Sequence, residues 1–245
     1  MTSSVVPPPP YCGRAPLPED LWLRWNWDPV LLAALIAALA GGIVLIRNAP
    51  RQRLAWSAGC AVLLVAFVSP LCALSSALFA ARSLHHLLVV ALAGPLVGYA
   101  LARLWRGGPL GLVAGAHILI FWAWHVPGAY AAALSSDLIY WIMQGLLLGS
   151  AILFWTVLYN APHVAAQIGA LLAGVVQMGL LGAIITFAPQ PLYAPHFLTT
   201  SLYGLSALED QQLAGLIMWV ASLPLFLGAG APLLRRFLAD AGAPA

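Results

Sequence analysis

Four of the six histidines, His85, His86, His125 and His196, fall at the ends of long apolar runs. Imidazole is costly to bring toward lipid and is the commonest protein ligand for metals, so histidines collected at one membrane depth point to metal chemistry. Asp210 opens the last apolar run, followed by Gln211 and Gln212. Met218 lies seven residues beyond Gln211, on the same helical face. Cys72 closes an earlier run. Thioether with imidazole suits Cu(I), whereas histidines with carboxylate suit Cu(II) or zinc, and spacing leaves that choice open. The expected core of a site is His86, His125 and Asp210, with His85, His196, Met218 or Cys72 as auxiliary ligands.

Each of these residues also has a plainer reading. An interfacial histidine can be an amphipathic anchor, and Asp210 can cap its own helix. Cys60 and Cys72 can be small buried hydrophobes. Neighbours on a helix point about 100° apart, so His85 and His86 are expected to divide into one lining residue and one facing the headgroups. Arg82 precedes His86 by four residues and shares its face, which makes Asp210 or Glu209 a natural partner. Gln211 and Gln212 should find partners inside a bundle, because amides entering lipid lose their hydrogen bonds to water. His117, two turns inside its run from His125, can simply bond a neighbouring helix, and His163 falls on the opposite side.

The elements that position these groups follow from composition. Of 245 residues, 62% are hydrophobic and 7% are charged; mean hydropathy is +0.94. A soluble domain carries about 25% charged residues, so the chain reads as an integral, all-α membrane protein. Its ten basic residues are all arginine and are scattered, which argues against nucleic-acid binding. Bilayer-length runs number seven, at 29–46, 54–72, 84–104, 110–126, 138–158, 164–188 and 211–234; the fourth is bounded by Pro109 and Pro127. If the spans alternate, Arg47, Arg51, Arg53, Arg103, Arg106, Arg235 and Arg236 share one side. By the positive-inside rule the N-terminus is outside and the C-terminus cytoplasmic. Residues 1–24 then form an outer polar, proline-rich tail, 25–236 the transmembrane domain and 237–245 a cytoplasmic tail. The run Met1 to Pro10 is expected to be disordered or extended, and the tail weakly packed. The opening lacks a basic n-region leading into an apolar h-region. Cys12, Cys60 and Cys72 show no paired spacing, so no disulfide framework is expected.

The ordered motifs resemble those of the multispan cytochrome c oxidase assembly factors of the CtaG family, associated with caa-type oxidases. The stretches that carry the likeness are Trp25-Asn26-Trp27-Asp28-Pro29, Val68-Ser69-Pro70-Leu71-Cys72, Leu78-Phe79 through His85-His86-Leu87-Leu88, and Gly94-Pro95-Leu96. They continue with Trp124-His125-Val126-Pro127 and Tyr130, Pro191-Leu192-Tyr193, Leu208-Glu209-Asp210-Gln211-Gln212-Leu213-Ala214-Gly215 and Met218-Trp219. The resemblance implies a non-enzymatic protein of the bacterial inner membrane that helps mature the copper centres of a haem-copper oxidase. Its partners would be oxidase subunits or other assembly factors, and its cargo copper, with zinc as the alternative metal. Two departures stand out. Arg82 occupies the first position of a His-Met-x-x-His pattern common in the family, and Gln144 stands near a further family histidine. The competing readings are a scaffold that touches no metal, an intramembrane zinc hydrolase, which would lack any HxxxH or HExxH pair here, and a haem or quinol-linked carrier using His86 and His125.

Overall fold

The computed structural model describes residues 9–105 and 107–241. Arg106, one of the topology arginines, and the first eight residues of the expected tail lie outside the described residues. Among the described residues every regular element is helical.

Proline starts α1 (Pro29–Leu45), α2 (Pro50–Val68) and the short α3 (Pro70–Ala77). Proline fits the first helical position because its missing N–H would be unpaired there anyway. Asp28 caps α1 through Oδ1, which accepts from the Val30 and Leu31 N–H groups. The next rod comprises α4 (Phe79–Leu87), a π-helical turn at Leu88–Ala93 and α5 (Gly94–Leu101). Then come α6 (Leu110–His125) and α7 (Pro127–Leu134), joined at a 72° bend. The bend falls where Pro127 interrupts the helical hydrogen-bond ladder. Two long helices follow, α8 (Asp137–Asn160) and α9 (Val164–Phe187). The last rod is α10 (Ala207–Leu216), a second π-helical turn at Ile217–Ala221, and α11 (Ser222–Ala241).

Five of these rods are long and apolar enough to cross a membrane, or six if α6 and α7 count as one broken span. The Phe79–Leu101 rod is the most enclosed, with 67% of its apolar window buried. It packs against α2, α3, α8 and α10. Small residues permit the closest approaches. A Cβ on Gly98 would stand 2.6 Å from Trp155 Cβ on α8, and one on Gly215 would stand 2.5 Å from the Gly182 carbonyl oxygen on α9. Such small-residue crossings are the usual way for helices to approach in lipid, where no hydrophobic force drives them together.

The described part of the N-terminal segment is not loose. Tyr11 stacks on Tyr140 with centroids 4.9 Å apart and donates its hydroxyl to Asp28 at 2.6 Å. Cys12 is disulfide-bonded to Cys72. Tyr203 donates to the Pro16 carbonyl at 2.9 Å. These contacts correct two expectations, the loosely packed tail and the absence of a disulfide. The two cysteines are 60 residues apart and belong to different elements, so no local spacing announces the pair.

Candidate functional site

The site is built on α4. The N-cap position of α4 is Leu78, whose side chain offers no acceptor. Asp210 of α10 supplies one from across the bundle. Its Oδ2 accepts the Phe79 N–H at 2.7 Å and its Oδ1 accepts the Ala80 N–H at 3.1 Å. Asp210 therefore caps another helix rather than its own. The start of α10 is satisfied separately by the Ser206–Glu209 capping box. A carboxylate at a helix N-terminus also gains from the helix dipole.

One turn into α4 comes Arg82, then His85 and His86. All three are buried, as is the whole cluster around them. This corrects the expected division of the two histidines into lining and headgroup-facing roles. Both histidine-bearing faces of the helix are covered, and only Leu84 is exposed: His85 meets Phe67 of α2 edge-on at 4.8 Å, while His86 meets His125 of α6 edge-on at 5.4 Å. The π-helical turn begins two residues after His86. Such widened turns are frequent at functional positions.

His125 ends α6 at the bend. Its Nδ1 lies 2.6 Å from the Phe121 carbonyl oxygen. A carbonyl only accepts, so Nδ1 carries the proton and Nε2 is left with its lone pair free. Nε2 of His125 and both ring nitrogens of His86 have no hydrogen-bond partner among the described residues. The pair therefore presents unshared imidazole nitrogens in a buried setting.

The other candidate ligands are placed differently. His196 lies in the loop before α10, with its Nε2 2.7 Å from the Tyr130 hydroxyl. Tyr193 donates to the His125 carbonyl at 2.8 Å and stacks on Phe79 with centroids 3.7 Å apart, so this loop braces both α4 and α6. Met218 is buried in the second π-helical turn, which packs on α4. Cys72 is half of the disulfide and offers no thiolate in this state. Both oxygens of Asp210 are engaged by backbone N–H groups, and it forms no ion pair with Arg82. Glu209 is likewise taken up by its capping box. Among the described residues no group of three or more His, Cys, Asp or Glu is arranged to hold a metal.

Two of the plainer readings hold. His117 bonds Ser150 on α8 at 2.9 Å. Gln211 accepts from the Leu192 N–H at 2.6 Å and donates to the Ile185 carbonyl at 3.2 Å. Gln212, expected to behave alike, is exposed. Sequence reasoning gave Tyr130 and Tyr140 no role in the site. Both are fully buried beside the Arg82 guanidinium, whose carbon lies 5.4 Å from the Tyr140 ring centroid.

Burial, aided by the Arg82 charge, pushes the His196 imidazole down to about 3. In an unfolded chain it titrates near ~6.5. Between those values only the unfolded chain binds the extra proton, so the contribution of His196 to stability is full above ~6.5 and declines as pH falls toward 3. His196→Gln is expected to make the pH dependence of unfolding shallower by up to ~1.4 kcal/mol per pH unit. Thermal melts of the purified protein from pH 7 downward check this, and equal slopes in the two proteins would contradict it.

The fold and site define a helical membrane protein with a histidine-rich polar core closed off from lipid. The model of the cytochrome c oxidase caa3 assembly factor family matches residues 109–240, more than half of the chain. The protein belongs to that family, and is a cytochrome c oxidase assembly factor by family. The matched stretch contains His125, Tyr130, His196, Asp210 and Met218, while α4 with Arg82, His85 and His86 precedes it. No curated protein and no solved structure matches the chain.

Proposed function

We propose that this protein holds copper for delivery to a haem-copper oxidase, binding it between His86 and His125 on the extracytoplasmic side of the bacterial inner membrane. The observation that carries this reading is the facing pair itself, two buried imidazoles 5.4 Å apart with unshared nitrogens. The Nδ1–H of His125 donates to a backbone carbonyl, the arrangement that commonly orients a metal-ligating histidine. Copper is here the cargo. Two imidazoles fall short of the closed four-ligand shell of a structural zinc site, which favours a metal that must leave again. His85 and Met218 stand as auxiliary ligands. Asp210 acts by positioning, since it fixes the first turn of the helix that carries both His85 and His86. The proposed role is non-catalytic.

The reading includes seven spans with the N-terminus outside. At 17 residues α1 is at the lower limit for crossing, and its length of about 26 Å approaches the thickness of the hydrocarbon core. With it, the N-terminal segment lies opposite Arg47, Arg51 and Arg53, which share a side with Arg103 and Arg235 in line with the positive-inside rule. The histidine pair and the Cys12–Cys72 disulfide then share the outer side, where disulfides persist. Partners on that side would be oxidase subunits or other assembly factors.

A second reading, a scaffold that binds no metal, is favoured by the lack of a three-ligand group among the described residues. Loading the purified protein with Cu(I) and measuring retained copper separates the two. The metal-holding reading expects near-stoichiometric copper, lost in His86→Ala and in His125→Ala together with the copper content of the oxidase. A protein that retains no copper while oxidase maturation survives both substitutions would leave the scaffold.

A further inference from the structure

Arg82 has no exposed surface, and none of its three guanidinium nitrogens has a hydrogen-bond partner among the described residues. Arginine keeps its proton inside proteins, so this is a permanent buried cation with five donors to satisfy. Such a charge is tolerated when it is paired. The carboxylate held against α4, Asp210, is already committed through both oxygens to the N–H groups of Phe79 and Ala80. Among the described residues the one ion pair is Arg24 with Asp20, at the surface.

The groups around Arg82 have a common character. Gln144, one turn along α8 from Tyr140, is buried with both amide atoms unpartnered. The Tyr130 and Tyr140 hydroxyls lie beside the guanidinium as neutral acceptors, close to hydrogen-bonding range but without full hydrogen-bond geometry. The Tyr140 ring faces it, so its π cloud offsets part of the charge without accepting a hydrogen bond in the guanidinium plane. Both nitrogens of His85 and His86 are also unpartnered. The surroundings hold neutral groups that can donate or accept and, among the described residues, no uncommitted carboxylate.

We propose that Arg82 anchors a site for a small monovalent anion of the carboxylate or halide class, with the Gln144 amide and the Tyr140 hydroxyl as further donors. One fixed positive charge matches one negative charge. The planar fork of guanidinium N–H groups suits a carboxylate bidentately and a halide at its centre. Enclosure limits the size: Arg82, Tyr130, Tyr140 and Gln144 are all buried, so an anion enters only as these side chains rearrange locally, which admits a small one. This site is independent of the copper reading and stands whether or not the histidine pair holds metal.

The test uses the full-length, metal-free protein in mild detergent, titrated with sodium formate and, separately, sodium chloride. Sodium gluconate, too bulky to enter, holds ionic strength constant. The readouts are the thermal midpoint for both salts and chloride-35 line broadening for chloride. Saturable stabilisation or broadening by either anion is the expected result, with Arg82→Gln weakening apparent affinity roughly tenfold or more. A wild-type response that does not saturate, or one that is equal in Arg82→Gln, would overturn the proposal and assign the donors to water alone. Should Arg82→Gln fail to fold, Gln144→Leu and Arg82→Lys take its place. Weakened binding in either supports the site, and unchanged affinity in both contradicts it.

Discussion

Asp210→Ala is expected to be the most damaging single substitution in the polar core. It removes the acceptor from two buried backbone N–H groups, those of Phe79 and Ala80, and nothing on Leu78 can replace it. A buried donor left without a partner costs about 1–3 kcal/mol, and bonds to a charged acceptor sit at the upper end, so the expected loss is about 3–5 kcal/mol. That is a large share of the stability of an ordinary domain, about 5–15 kcal/mol. The first turn of α4 would fray, and with it the placement of Arg82, His85 and His86. Asp210→Asn keeps one acceptor oxygen and is expected to lose roughly half as much. Thermal unfolding in detergent ranks the three proteins, and oxidase activity of complemented cells should follow the same order. An Asp210→Ala protein as stable as wild type would show that α4 does not depend on this cap.

Gly215→Ala is expected to cost about 2–3 kcal/mol, although alanine is the better helix former. Beyond the Thr186 hydroxyl, which it would meet first and which can rotate away, the added Cβ would stand 2.5 Å from the Gly182 carbonyl oxygen and 2.8 Å from the Thr186 backbone nitrogen. The last two obstacles are backbone, so full relief requires α10 and α9 to move apart. Because α10 also carries Asp210, the shift would reach the α4 cap. Gly149 on α8 provides the control, since a Cβ there meets nothing within 4 Å. Gly149→Ala should be neutral or gain up to about 1 kcal/mol. Melting temperatures of the two variants check this contrast, and similar values would contradict the tight crossing.

The sequence made the helical rods legible because lipid demands long apolar runs, and Pro127 marked the break beside His125. Two of the residues it singles out, His86 and His125, 39 positions apart in the chain, face each other. What it left out depends on contacts between distant segments. Periodicity separates the directions of His85 and His86, but it does not reveal that α4 is covered on both of those faces. Sequence alone reads Asp210 as a metal ligand or as the cap of its own helix, whereas it caps one 131 residues away. The Cys12–Cys72 pair and the packing of Tyr11 on Tyr140 likewise join elements with no shared local pattern. Sequence alone suggests an ion pair for Arg82, because Asp210 and Glu209 are the obvious acids. Once both are occupied elsewhere, the buried guanidinium becomes a feature in its own right.

The central claim is that His86 and His125 together hold copper. X-ray absorption of the Cu(I)-loaded protein tests it most directly, because the spectrum reports which atoms surround the metal. The account predicts nitrogen scatterers with the outer-shell pattern of two imidazoles, reduced or lost in His86→Ala and in His125→Ala. A copper shell dominated by sulfur, or an imidazole pattern unchanged by both substitutions, would contradict it.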